Sequence, residues 1–467
     1  MNKIKGSVAL IILAFSWLSL YWITGSRTPW NDLSILKNED GVSIYLGDIP
    51  AANYDRMGFS KAIVEYIERE DAWLVGTERG EVTLYDGTGH QLWKRSLGIG
   101  SITTACVSGN GKLAFIGESS PEGNLYALDV HNGNILWKYR ASDFIGSDTS
   151  VRSHPSIVHI VHDADDTIYA NMYRFVTLQD GSRGYQAKML AINNKGQLLW
   201  QFPQHEAIDC WINWCDVNDI NGKVVISSSA YEYREGMKYK DTLYFIDKQT
   251  GALLNSVFVP AIAPYNNTVM RGSPNFSVDG KYLAAACSDG RGMLFDSQGE
   301  ILWTRSVSKP GQVDGAWINA SGRDAFVTPY GVLFTTINTF NRENWQLPTP
   351  IEHPSSNSIF LFGLDGSYKY QYQSLGTMEY LDFTNQYVAC AIGRNVRTHN
   401  YAAHGAIVFD LLKGEPKANF STEGPVQAIA ISTDGTRVAA VEVPAVLPEG
   451  KLLGSHRLHI WQIGVDD

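Results

Sequence analysis

The sequence predicts an all-β protein, an eight-bladed β-propeller, and three observations lead there. A strand-turn-strand pattern recurs along most of the chain, its copies fall roughly 45 to 65 residues apart, and no segment between Phe59 and Asp467 carries helical periodicity. A single hairpin is marginal in water, so a chain of such units must stack them to bury their faces.

The pattern is clearest over residues 125–137, Leu-Tyr-Ala-Leu-Asp-Val-His-Asn-Gly-Asn-Ile-Leu-Trp. Apolar and aromatic residues up to Asp129 suit a buried strand, Asp129 to Gly133 suit a turn that needs positive φ, and a second strand begins at Asn134. Residues 82–93 repeat it with Asp86, Gly89 and Trp93, residues 189–200 with Asn193, Gly196 and Trp200, and residues 293–303 with Asp296, Gly299 and Trp303. Residues 243–255 keep Asp247 and Gly251 but end in Asn255, and residues 407–418 keep Asp410 and Gly414 but end in Ala418. The most worn copy has Gly363 for the Asp, Gly366 in the turn and Tyr370 for the Trp.

With 467 residues, 44% hydrophobic and 18% charged, the chain can bury a large core and is not disordered. Residues 1–25 stand apart. Lys3 and Lys5 lead into an uncharged apolar run from Val8 to Ile23 that holds Trp17, Tyr21 and Trp22. This is a signal anchor or a cleaved signal peptide. The length of the run, the lack of a small-x-small cleavage site and the interfacial aromatics favour an uncleaved transmembrane anchor. The lysines ahead of it leave the N-terminus in the cytoplasm and the body outside, periplasmic or at the cell surface, or secreted if the segment is cut. No Cys precedes Cys106, which excludes a lipidated N-terminal cysteine.

Residues 27–467 carry 36 basic side chains, the 38 of the whole chain less Lys3 and Lys5, against 48 acidic ones. That net of −12 disfavours a nucleic-acid-binding face. The five cysteines form no Cys-x-x-Cys, so neither a zinc knuckle nor an attached haem is encoded. Cys210 and Cys215 are either one disulfide of an exported protein or, the reading we favour, buried thiols on strands.

Residues 26–56 read as a linker with one plausible strand at 42–46, and residues 57–467 as the propeller. Turns at Ser108-Gly-Asn-Gly111, Ser277-Val-Asp-Gly280, Asn319-Ala-Ser-Gly322 and Ser432-Thr-Asp-Gly435 join the first two strands of their blades. Insertions at 173–186 and 330–357 break the rhythm. Third strands begin near Val82, Leu125, Met189, Leu243, Met293, Ile359, Ile407 and Leu458, which makes eight. The last has no outer partner, and strand 42–46 is placed to supply it and tie the ring shut. A seven-bladed ring with one degenerate copy is the alternative.

The motif Ala127-x-Asp129-x-x-Asn132-Gly133-x-x-x-Trp137 resembles the tryptophan-docking repeat of pyrroloquinoline-quinone-type eight-bladed propellers, over nearly all of the chain after residue 56. The resemblance implies that Trp93, Trp137, Trp200 and Trp303 stack on the turn of the adjacent blade, each burying about 200 Å². Asn255, Tyr370 and Ala418 depart from the pattern, so a weak or missing dock is expected in three blades. The family holds quinone-dependent dehydrogenases and non-catalytic scaffolds, among them the propeller subunit of the outer-membrane barrel-assembly machine. A quinone with calcium would need a carboxylate and amide set, a catalytic Asp and often adjacent cysteines, and no Cys-Cys dipeptide occurs. The resemblance therefore implies a scaffold, with no cofactor or metal.

Outside the docking positions, Trp211 and Trp214 in Asp209-Cys-Trp-Ile-Asn-Trp-Cys-Asp216 are candidates for a rim that grips a ligand or partner, or else blade core. Tyr231, Tyr233, Arg234, Tyr239 and Lys240 form an aromatic and basic loop, read as exposed and a candidate contact patch. Trp345 in the 330–357 insertion suits a protein contact. His154, His159 and His162 with Asp163, Asp165 and Asp166 suggest a metal cluster, but strand spacing turns His159 and His162 to opposite faces and the Asp run suits a solvated turn. No Ser-His-Asp order or phosphate loop stands out. The sequence thus points to an anchored, extracytoplasmic propeller that binds envelope or membrane proteins as a scaffold, with a quinone-dependent enzyme or a sugar-binding propeller as alternatives.

Overall fold

The structure is a computed structural model that describes residues 35–38, 41–55, 61–148, 150–230, 237–313, 315–341, 352–395 and 403–464. It is a nearly all-β propeller. Among the described residues the only α-helix is the single turn Ser142–Ile145.

Each copy of the repeat supplies the third and fourth strands of an antiparallel sheet. Asn124–Asp129 is buried on both faces, between Leu113–Ser119 and Ile135–Arg140. That explains its unbroken apolar run. The Asp closing this strand is a turn builder: the Asp129 carboxylate accepts the His131 N–H at 2.8 Å, and Gly133 takes φ +69°. Asp86, Asp247, Asp296 and Asp410 accept backbone N–H groups of their own turns in the same way. Just before the turn the register slips by one residue in each copy, for example at Ala127/Leu128, Ala191/Ile192 and Leu294/Phe295. Such a bulge adds twist to the outer edge of the sheet.

Residues 62–96, 211–258, 275–306 and 378–421 each form a four-stranded sheet, and residues 311–373 a five-stranded one. Residues 101–202 form an eight-stranded sheet whose two four-stranded halves meet only at the Ser156 and Ser119 pair. The last sheet takes Val426–Ile431, Arg437–Glu442 and Arg457–Gln462 from the C-terminal end, then Gly41–Tyr45 and Ile35–Asn38 from the N-terminal end. Innermost strands touch in succession from Ala62–Ile67 through Ser101–Val107, Ser156–His162, Trp211–Asn218 and Asn275–Phe276 to Ala316–Thr328. Arg323 carries the contact onward by donating to the Met378 carbonyl, and Val426–Ile431 returns it to Ala62–Ile67, so the ring closes.

Core packing lies between sheets. One cluster joins Ile44, Val64, Val75 and Ile460 across the N- and C-terminal sheets, and another joins Leu84, Ile116 and Leu128 across the next two.

The structure departs from the sequence reading at two places. Asn319-Ala-Ser-Gly322 is no turn: it lies inside the continuous strand Ala316–Thr328, with register shifts around Gly322. The glycine serves close approach, because a Cβ there would meet the Cys287 carbonyl oxygen of the neighbouring sheet at 2.4 Å. Residues 46–55 are more than a tether. Ala52–Asn53 pairs with Ala445–Val446, and Tyr54 is fully buried with its hydroxyl 2.9 Å from His404 Nε2. The apolar run at 8–23 lies outside the described residues, and among those no helix is long and apolar enough to cross a membrane.

Candidate functional site

Two sets of positions stand out, the joints between sheets and the mouth of the central channel. At the joints, Trp93 Nε1 donates to the Val130 carbonyl at 2.7 Å, Trp137 Nε1 to that of Asn194 at 3.2 Å, Trp200 Nε1 to that of Lys248 at 3.0 Å and Trp303 Nε1 to that of Leu364 at 2.8 Å. Three of the turns receive the indole on their glycine: a Cβ on Gly133, Gly196 or Gly251 would meet the ring at 2.6 to 2.7 Å. The positive φ and the bare Cα are thus required by one contact. The worn copies differ from expectation. Asn255 Nδ2 donates to the Gln298 carbonyl at 2.8 Å, and the Tyr370 hydroxyl to that of Leu411 at 2.8 Å with its ring against Gly414. Both keep the link across the joint, because what the position needs is a donor of the right reach. At Ala418 no donor exists, and there Phe420 stacks on Trp461 at 4.9 Å. At the closing joint Ile44 and Val42 pack over Gly89 in the place of an indole.

The alternation of strand direction sorts the loops onto two faces. Turns 108–111 and 129–133 share one face. The connections between second and third strands share the other, with the starts of the innermost strands. Among the described residues, the strands that flank the long insertions at 173–186, 230–241, 342–357, 393–404 and 443–456 all end and begin at that face. The 173–186 insertion extends the hairpin of Ile168–Thr177 and Arg183–Ile192, paired out to Thr177 opposite Arg183. Arg183 lies over the Phe175 ring at 4.6 Å.

At the centre of this face opens a cavity of about 660 Å³. Trp211 and Trp214 both line it. Trp211 is buried and meets Tyr173 edge-on at 6.2 Å, while Trp214 stacks on His159 at 3.7 Å and donates from Nε1 to Asn275 Oδ1 at 3.0 Å. His159 Nδ1 accepts the Cys215 N–H at 3.3 Å, and burial holds the ring neutral by lowering its pKa to about 3. Cys210 and Cys215 are both buried free thiols, so they form no disulfide here. The mouth carries five cations, Lys61, Arg152, Arg271, Arg323 and Arg394, and two carboxylates, Asp324 and Glu379, in a chain of net charge −10. Arg323 is neutralised by Asp324 at 3.6 Å and Glu379 at 3.8 Å.

The channel wall also holds carboxylates displaced from their usual range. Burial, with the Asp382 charge adding to it, raises the Glu65 pKa to about 8, and burial raises Asp216 to about 7 and Asp382 to about 6. Asp216 and Asp382 are ties between neighbours: their carboxylates accept the Phe276 N–H at 2.6 Å and the Ile431 N–H at 2.8 Å from the next innermost strand.

Tyr231, Tyr233, Arg234 and Trp345 lie outside the described residues. Tyr239 corrects the exposed-loop reading: it is buried, and its hydroxyl donates to Glu206 at 2.7 Å. His154, His159 and His162 do not converge. His154 lines the cavity, whereas His162 Nδ1 donates to the Asp163 carbonyl at 2.9 Å. Asp163 and Asp166 are spent on the Thr167 and Gly109 N–H groups. Among the described residues no three His, Cys, Asp or Glu side chains gather as a metal site. Lys61, Arg152, Arg271 and Asn338 of the mouth belong to no repeat motif; their signal is position, since all but Asn338 lie at or just before the start of an innermost strand.

Residues 60–234 match the family model described as outer membrane protein assembly factor BamB. Over that stretch the chain resembles the BamB family, and the ring as a whole resembles the BamB propeller in fold. Among solved structures, BamB from Moraxella catarrhalis is similar with a TM-score of 0.53 at 14% identity, over 92% of this chain and 99% of that one. The C-terminal WD40 domain of Sif2 is similar with a TM-score of 0.53 at 11% identity, over 87% of this chain and all of that one. At such identities the likeness concerns the fold. No curated protein sequence matches the chain.

Proposed function

We propose that the chain is an eight-bladed, extracytoplasmic propeller, anchored by residues 1–25, that holds other proteins of the cell envelope on its insertion-bearing face. The count of eight takes the two halves of the 101–202 sheet as separate blades. The observation that carries the scaffold reading is that, among the described residues, the strands flanking the long insertions all open onto one face around the channel mouth, while the turns of the opposite face are tight. Binding surfaces concentrate in loops held by a rigid scaffold. Support comes also from the BamB family match, since that protein is described as an outer membrane assembly factor. The apolar run ahead of the ring supports the anchor and the location.

Photo-cross-linking from Phe175 in intact cells, followed by recovery from the membrane fraction, tests this reading. Adducts with envelope proteins support it, and their absence from several insertion positions contradicts it. The alternative is a quinone-dependent dehydrogenase. Dye-linked oxidation of alcohols or sugars after adding quinone and calcium would support it.

A further inference from the structure

We propose that the channel mouth binds an extended acidic peptide segment, with an acidic side chain against Arg271 and a backbone N–H against Asn338. This deepens the scaffold reading and rests on it: the segment belongs to the partner protein.

Of the five cations at the mouth, Arg323 is ion-paired and Arg394 donates to the Tyr54 carbonyl at 2.8 Å. Lys61, Arg152 and Arg271 have no carboxylate within ion-pair distance among the described residues, although the chain as a whole is strongly acidic. An excess of unpaired cations around a concave, partly dry site focuses potential on its centre and attracts anions.

Arg271 Nε is buried without a partner, and so is Asn338 Oδ1 on a side chain that is only 9% exposed. Both residues line the cavity. A buried polar atom left without a partner costs about 1 to 3 kcal/mol, which a ligand that reaches both atoms from the cavity would recover. One orphan is a donor and the other an acceptor. A fully ionised polycarboxylate that carries no hydroxyl offers acceptors alone and leaves Asn338 Oδ1 unsatisfied. A peptide with acidic side chains offers carboxylates and backbone N–H groups a few ångströms apart and satisfies both.

Trp211, Trp214, Tyr173 and Phe175 stand around the same mouth as aromatic walls against which the apolar part of an extended chain packs. The insertions that rim this face would hold the rest of the partner.

The test is fluorescence anisotropy on the intact chain with a short labelled peptide alternating Glu and Gly. Saturable binding is expected, weakened by added NaCl, lost with the Gln and Gly analogue, and weakened about tenfold by Arg271→Gln. Lys61→Gln, on an exposed side chain, serves as a second variant, with thermal melting showing that both fold. Asn338→Leu should weaken the peptide while leaving unchanged any binding at pH 8 of tricarballylate, a tricarboxylate with no hydroxyl to donate. No saturable binding, equal binding of the Gln analogue, indifference to both charge variants, or tricarballylate competing as strongly as the peptide would overturn the inference. Partner adducts from Phe175 that persist while the peptide fails to bind would overturn this inference alone, whereas peptide binding without any partner adduct would overturn the scaffold reading.

Discussion

Val42 faces Ile460 in antiparallel register, so strands from opposite ends of the sequence share one sheet. Chain closure of this kind removes the open edge that a ring of sheets would otherwise present. Beside this pair Ile44, only 5% exposed, packs into the same interface and over Gly89 of the next sheet.

Ile44→Ala should therefore destabilise the protein by about 2 to 4 kcal/mol, the cost of a cavity in a core that cannot collapse. Urea denaturation followed by tryptophan fluorescence measures it. A change below about 0.5 kcal/mol, the size of a surface substitution, would show that the N-terminal strand is dispensable.

The joints should rank by burial. Trp200 is buried within a large cluster, whereas Asn255 is exposed and contributes one hydrogen bond across its joint. Trp200→Ala should cost about 3 to 5 kcal/mol and Asn255→Ala about 1 kcal/mol. Equal losses in the same denaturation experiment would mean that the indole adds nothing beyond its N–H.

Glu65 should give the channel a pH signature. Its pKa is raised from 4.5 to about 8 in the folded chain, so the native state holds a proton that the unfolded state has released. Stability from this group is complete below pH 4.5, falls as the pH rises and levels off above about 8. Glu65→Gln should thus stabilise the protein at pH 8.5 relative to the wild type, and the gain should shrink toward pH 5. A gain independent of pH would contradict the assignment.

The thiols should be silent until the chain unfolds. Cys210, Cys215, Cys287 and Cys390 are buried, and burial pushes the Cys215 thiol well up and that of Cys287 to about 12. Since the thiolate is the reactive form, iodoacetamide should spare these four in the native protein. Without reductant, unfolding should expose all five cysteines of the chain to alkylation by intact mass. Two missing adducts would reveal a disulfide.

Much of the ring was legible because the repeat is made of local rules. Asp129 builds its own turn, Gly133 supplies the positive φ, and the apolar run from Leu125 announces a strand buried on both faces. Strand 42–46 was legible through an absence, the missing partner of the last copy. What stayed hidden depends on distant approach. Gly322 reads as a turn residue until the Cys287 carbonyl of the next sheet is seen against it. Asn255 and Tyr370 read as losses, because a Trp pattern records the ring while the joint also uses the donor. The channel mouth left no pattern at all. Arg271, Asn338 and Lys61 come from three separate sheets, and only the closure of the ring brings them around one cavity.

Partners held on the insertion-bearing face should be within reach of the channel mouth. A photo-reactive residue at Phe175, beside the channel mouth, should form adducts with envelope proteins in intact cells, and one at Leu136, exposed on the outer strand Ile135–Arg140, should not. Adducts from Leu136 with none from Phe175 would contradict the account.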